Sequence, residues 1–186
     1  MSGAKQIQLK ISLLYIEPEI WRRVVVPDSF SLGELHGVVQ SAMGWQNSHL
    51  HRFEIDGVDY TFGDAAPEMN MKAEELVLLR DVLKKEGQVF LYEYDFGDSW
   101  LHQVIVEKME VVKSAGPVSI CLAGERACPP EDCGSYPGYE EILYALDAAD
   151  PDEDQKSLIE WLEDMCGDYD PERFDCDEVN RQLVRK

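Results

Sequence analysis

The chain has 186 residues, 45% hydrophobic and 10% aromatic, with a mean hydropathy of -0.31, which suits a packed domain spanning 1–186 and is too short for several. Lys and Arg number 17 against 37 Asp and Glu, so the formal charge is -20; that field repels nucleic-acid phosphates and anionic lipid and disfavours direct nucleic-acid binding. No apolar run approaches the ~20 residues of a membrane span, no signal-peptide core opens the sequence, and the odd count of five cysteines suits free thiols or a metal site in a reducing compartment, so a cytoplasmic protein is expected.

The pattern begins with Ile7, Leu9, Ile11, Leu13 and Tyr15 at alternate positions, which half-buries a strand. Glu17-Pro18-Glu19 interrupts it, and Ile20 to Val26 resumes with β-branched residues, so the spacing predicts a hairpin over 7–26. Ser31 and Glu34 form a capping-box pair, Leu32, Leu35, Val38, Val39 and Ala42 recur at helical spacing, and Gly44 supplies a stop, predicting a helix over 32–43. Asp56-Gly57 between two β-like runs predicts a type I′ hairpin over 51–62. The stretch 64–76 has no clear period and reads as loop with room for a short helix. Gln88 to Tyr94 and Trp100 to Val112 flank Asp95-Phe-Gly-Asp-Ser99, a turn composition, and predict a third hairpin over 88–112.

Composition then changes. Residues 113–135 carry Cys128-Pro129-Pro130 and several glycines and read as a rigid Cys/Pro/Gly loop, while 136–186 read as helices only. One begins near Tyr139; a second has Asp150 as N-cap, Pro151 at N1 and Glu153 at N3; a third has Asp175 as N-cap, Glu178 at N3 and Phe174 placed to staple against Val179. Residues 121–186 hold 19 acidic and 6 basic side chains, a net of -13, which reads as a solvated helix surface. The expected class is α+β: a mostly antiparallel sheet of hairpins with one helix packed on it (1–112), then the loop, then an acidic helical part.

Three places could carry chemistry. His49 and His51 share a face if both lie on a strand, and Asp98, Trp100 and His102 share one on theirs; adjacent strands would bring imidazoles, a carboxylate and an indole into one pocket suited to a divalent metal or to proton transfer. The bland alternative is that these histidines satisfy backbone groups beside an aromatic core of Trp45, Phe53 and Trp100. Cys121, Cys128 and Cys133, with Glu131 and Asp132 between them, form a C-x6-C-x4-C loop. Zinc would suit such thiolates, but the spacing lacks the paired C-x2-4-C of structural sites and a fourth ligand, so small buried packers are the favoured reading. Arg22 and Arg23 beside Trp21 could seat an anion, or form salt bridges to the acidic helices. Walker A, nucleophile-elbow, zincin and CxxC signatures are absent from the sequence.

Several phrases occur here together: Ile20-Trp-Arg-Arg-Val, Leu35-His36, Met43-Gly-Trp45 to His49-Leu-His51-Arg-Phe53, Tyr94-Asp-Phe-Gly-Asp-Ser-Trp-Leu-His102, and Ala127-Cys-Pro-Pro-Glu-Asp-Cys-Gly134. In this order they resemble the plasmid pRiA4b ORF-3-like family over residues 5 to 180. The resemblance implies mobile-element company but no settled activity. It also marks one departure, Ser135, where the family form has a second glycine. The expected function is a non-enzymatic binding or accessory module whose partner is a protein or a cationic surface. The alternatives are a metal-assisted enzyme, using zinc or another divalent metal on His49, His51, Asp98 and His102 and acting for instance on a phosphoester, and a nucleic-acid-associated transposon accessory protein.

Overall fold

A computed structural model describes residues 4–112 and 118–183. Eight strands form one sheet: β1 (Ala4–Leu13), β2 (Ile20–Pro27), β3 (His51–Ile55), β4 (Val58–Thr61), β5 (Lys72–Ala73), β6 (Val89–Tyr94), β7 (Trp100–Val112) and β8 (Ile120–Glu125). Their order is β5-β4-β3-β6-β7-β1-β2-β8, and every pairing is antiparallel except β4 with β5. Five helices accompany it: α1 (Leu32–Met43), α2 (Leu79–Val82), α3 (Ser135–Asp147), α4 (Glu153–Cys166) and α5 (Cys176–Leu183). The expected α+β class and all three hairpins are observed.

The alternation of β1 places Ile7, Leu9 and Ile11 in the core with Val24 and Val26 of β2 and with Leu35 and Val39 of α1. The capping box forms as expected: Ser31 Oγ accepts from the Glu34 amide at 3.1 Å, and Glu34 Oε2 accepts from the Ser31 amide at 2.7 Å. Asp56 and Gly57 both take positive φ, 51° and 76°, as a type I′ turn requires.

Four boundaries differ from the sequence reading, each for a local reason. Residues 120–125, expected as loop, are strand β8, paired with β2 from Val25↔Ile120 to Trp21↔Glu125 around a bulge at Arg23/Val24. Glycine there serves close approach: a Cβ on Gly124 would lie 2.7 Å from the Trp21 carbonyl and 2.8 Å from Arg22 Cδ. The stretch 64–76 supplies β5 and a 3-10 turn at Glu74–Leu76. Helix α3 starts at Ser135 rather than near Tyr139, and Ser135 takes a φ of 66°, in the left-handed region where a glycine would cost least. Helix α4 is capped by Asp152, not Asp150, because Asp152 and Gln155 form a reciprocal capping box that Asp150 with Glu153 does not. The Asp175 cap of α5 forms as expected, with Oδ1 accepting from the Asp177 and Glu178 amides.

At the β8 edge, the Asn180 side chain imitates a strand. Its Oδ1 accepts from the Cys121 amide at 2.8 Å and its Nδ2 donates to the Cys121 carbonyl at 2.9 Å, so α5 covers that part of the edge.

Candidate metal centre

The five residues expected in one pocket are not brought together. Strand β6 lies between β3 and β7, and the β3 ladder begins at His51↔Tyr94, so His49 sits in the preceding loop, where strand parity no longer applies. Trp100 and His102 are fully buried in an aromatic core with Trp45 and Tyr92. His102 Nε2 accepts from Trp45 Nε1 at 3.3 Å and Nδ1 faces the Trp100 carbonyl at 3.0 Å, a neutral tautomer; burial holds its pKa down at about 4. His51 is also buried, paired with Glu74 Oε2 at 2.8 Å and stacked on His36 at 3.5 Å between ring centroids. Asp98 ties the β6–β7 turn to α3 instead: its Oδ2 accepts from the Gly134 amide and its carbonyl from Ser135 Oγ.

The candidate anion seat at Arg22 and Arg23 is filled by the protein's own acceptors. Arg22, 2% exposed, donates to the carbonyls of Trp21, Ala42, Glu125 and Arg126 at 2.7–2.8 Å and lies over the Phe174 ring, 4.3 Å from its centroid. Ala42 belongs to the last turn of α1, so the guanidinium also faces the negative end of that helix. Arg23 pairs with Glu107 of β7 through two hydrogen bonds, not with the acidic helices.

The cysteine segment divides. Cys121 lies in β8, Cys128 is buried, and Cys133 is partly exposed; all five thiols are free. Burial raises the Cys128 thiol, pushes Cys121 up to about 12 and, with the charge of Asp98, pushes Cys133 up to about 12, so these thiols stay protonated. No three cysteines converge as metal ligands among the described residues. Replacing Cys128 with serine should therefore cost on the order of 1–3 kcal/mol, by burying a hydroxyl where a thiol packs, read as a lower urea midpoint.

What converges instead is His49 with carboxylates from two other loops. His49 Nε2 lies 3.1 Å from Asp132 Oδ1, 3.7 Å from Glu131 Oε2 and 3.8 Å from Asp95 Oδ2. One ligand atom each from His49, Asp95 and Asp132 falls within 4.8 Å of the others, the one such group among the described residues. Nε2 is shielded from solvent, and no hydrogen bond of proper direction reaches it. The surroundings are fixed. Asp95, at a φ of 56°, spends Oδ1 on the Gly97 amide, which leaves Oδ2 turned to His49. Glu131 Oε1 accepts from the Gln46 amide at 2.6 Å and from the Tyr94 hydroxyl at 2.9 Å, while that hydroxyl accepts from the Ser48 amide. Glu131 and Tyr94 thus tether the loop that carries His49. Burial and the Glu131 charge raise the Tyr94 phenol, keeping it a donor.

Gly138 supports the Asp132 side of this arrangement. A Cβ there would lie 1.8 Å from the Cys133 carbonyl oxygen, so Gly138→Ala must displace the 131–134 loop or the start of α3. We expect a cost of about 2 kcal/mol, with loss of the His49–Asp132 approach, measurable by thermal unfolding together with the His49 ring proton shifts. Beside His49, a cleft of about 520 Å³ is lined by His36, Asn47, Ser48, His51 and Phe62.

Fold and site together define an α+β protein, one mostly antiparallel sheet with packed helices, carrying a His–carboxylate cluster where three loops meet. The family model for the plasmid pRiA4b ORF-3-like protein matches residues 5–178, and the chain belongs to that family. It is 37% identical over 185 residues to the uncharacterised protein y4hQ of Sinorhizobium fredii, covering 97% of this chain and 91% of that one. It is also similar to the crystal structure of a protein of unknown function, MM3350 of Methanosarcina mazei Go1, with a TM-score of 0.81, 36% identity and coverage of 95% of this chain and 98% of that chain. No helix among the described residues is long and apolar enough to cross a membrane.

Proposed function

We propose that this protein is a binding or accessory module built around a divalent-cation site, with His49 Nε2 and one oxygen each of Asp95 and Asp132 as its ligands. The observation that supports this most is the approach of those three atoms to within 4.8 Å from loops far apart in sequence. One imidazole with two carboxylates suits Mn2+ or Zn2+ better than a purely oxygen-seeking ion. The side chain of Asp132 is 63% exposed, which leaves the outer side of the site open to water or to a ligand atom from a partner. The acidic helical face would meet that protein partner or cationic surface.

Mass action tests the reading. Mn2+ at about a hundred times its dissociation constant should stabilise the chain by about 2.7 kcal/mol, a rise of roughly 5–10 °C in thermal midpoint. The rise should fall to about half or less in Asp132→Asn and persist in Asp98→Asn. Protons compete with the ion for these three ligands, so the rise should be smaller in acid than at neutral pH. A midpoint indifferent to Mn2+ at every concentration would oppose the reading.

A second reading, a metal-assisted enzyme acting on a phosphoester, is favoured by the cleft beside His49, where the His36–His51 stack and the Glu74 carboxylate supply groups able to move a proton. Turnover of an aryl phosphate by the Mn2+-loaded chain, absent in His49→Ala, would replace the module reading with this one.

A further inference from the structure

Cys121 and Cys176 approach each other from different elements, β8 and the first residue of α5. Cys176 Sγ donates to the Cys121 carbonyl at 3.1 Å, and Asn180 Nδ2 holds that same carbonyl at 2.9 Å while lying 3.8 Å from Cys176 Sγ, so the Cys176 thiol rests against the Cys121 backbone. Cys121 is buried; Cys176 is partly exposed and is the one that solvent reaches. Neither belongs to the His49 cluster.

We propose that Cys121 and Cys176 form a reversible disulfide site that takes a low-molecular-weight disulfide as its oxidant. The Cys176 thiolate attacks one sulfur of glutathione disulfide, forming a mixed disulfide and expelling one glutathione thiolate. Cys121 Sγ then attacks the Cys176 sulfur and expels the second. Two protein thiols and one glutathione disulfide become one protein disulfide and two glutathiones, the two thiol protons passing to the departing thiolates. The second step is intramolecular between residues already held side by side by the Cys176 Sγ–Cys121 carbonyl bond, which offsets the scarcity of thiolate at a buried Cys121.

The consequence is local. The bridge would close 55 residues of sequence separation and fasten α5, an eight-residue helix too short to hold itself, to the sheet edge that Asn180 covers. Reduction would leave that edge held by the Asn180 hydrogen bonds and by the packing of Val179 and Leu183 against the core.

Incubation of the full chain with glutathione disulfide, acid quenching and peptide mapping decide it. The expected product has lost two hydrogens, carries a Cys121–Cys176 cross-linked peptide, melts several degrees higher, and returns to the starting mass with dithiothreitol. Cys121→Ser should trap glutathione on Cys176, whereas Cys176→Ser should leave Cys121 unmodified. Should either variant fold poorly, the native chain still reports, because closure must protect both thiols from alkylation together. Glutathione retained on Cys176 of the native chain, modification confined to the exposed Cys166, or alkylation of Cys121 and Cys176 at independent rates would each overturn the proposal.

Discussion

Arg22→Met is expected to lower stability by about 4 kcal/mol or more, enough to leave much of the chain unfolded at ordinary temperature. Four backbone carbonyls, from Trp21, Ala42, Glu125 and Arg126, depend on this one guanidinium. Each acceptor left buried without a donor costs on the order of 1–3 kcal/mol, and the stacking on Phe174 goes too. No carboxylate pairs with Arg22 in those bonds; the cation is held by carbonyl dipoles and by the end of α1, where the partial negative charge of the helix is concentrated. Arg22→Lys should fail almost as badly, because an ammonium with three donors cannot span acceptors on three elements. The comparison that isolates the effect is Arg23→Met, which breaks a partly exposed pair with Glu107 and should cost about 1 kcal/mol or less. Urea midpoints of the three variants check this, and near equality of Arg22→Met and Arg23→Met would contradict it.

Stability should also fall between about pH 6.5 and pH 4 through His102. In the unfolded chain a histidine titrates near 6.5, whereas in the fold the His102 pKa is held down at about 4, because burial disfavours the imidazolium and the Arg22 charge opposes it. In this window the unfolded state binds the extra proton, so the contribution of His102 is fully present above about 6.5 and drains away as the pH falls toward 4. The total is about 3 kcal/mol. The lowered carboxylates Glu19 and Glu107, each hydrogen-bonded to a cationic side chain, lose their own contributions only at more acidic pH, below the ordinary carboxylate range. His102→Gln keeps a side-chain acceptor and removes the titration, so its urea midpoint should fall less steeply between pH 6.5 and 4.5 than that of the native chain. Parallel curves would show that His102 does not carry this dependence.

How legible these features were follows from the range of the interactions behind them. The hairpins, the Ser31 capping box and the Asp56-Gly57 turn are decided within a few residues, and the sequence reading finds them. Arg22 shares parity with Ile20, Val24 and Val26, all buried, so its inward direction was already present in the alternation. Reading the adjacent Arg22 and Arg23 as one anion seat ignored that neighbours on a strand face opposite ways. Strand β8 was hidden because cysteine and glycine interrupt its hydrophobic pattern, although Ile120 and Leu122 alternate with Cys121. The His–carboxylate cluster was half legible. His49, Glu131 and Asp132 stood among the candidates, but Asp95 lies in a turn, where period carries no information, and the three loops meet only through the order of strands. Glu74, the partner of His51, lies in a stretch without any period.

Titration of Mn2+ into the full chain, followed by the paramagnetic resonance signal of the free ion, addresses the central claim most directly. One ion should bind per chain, with affinity at least tenfold weaker in His49→Ala and in Asp132→Asn and unchanged in His102→Gln and Asp98→Asn. No loss of the free-ion signal, or equal binding by the native chain and the His49→Ala chain, would contradict a metal centre at His49, Asp95 and Asp132.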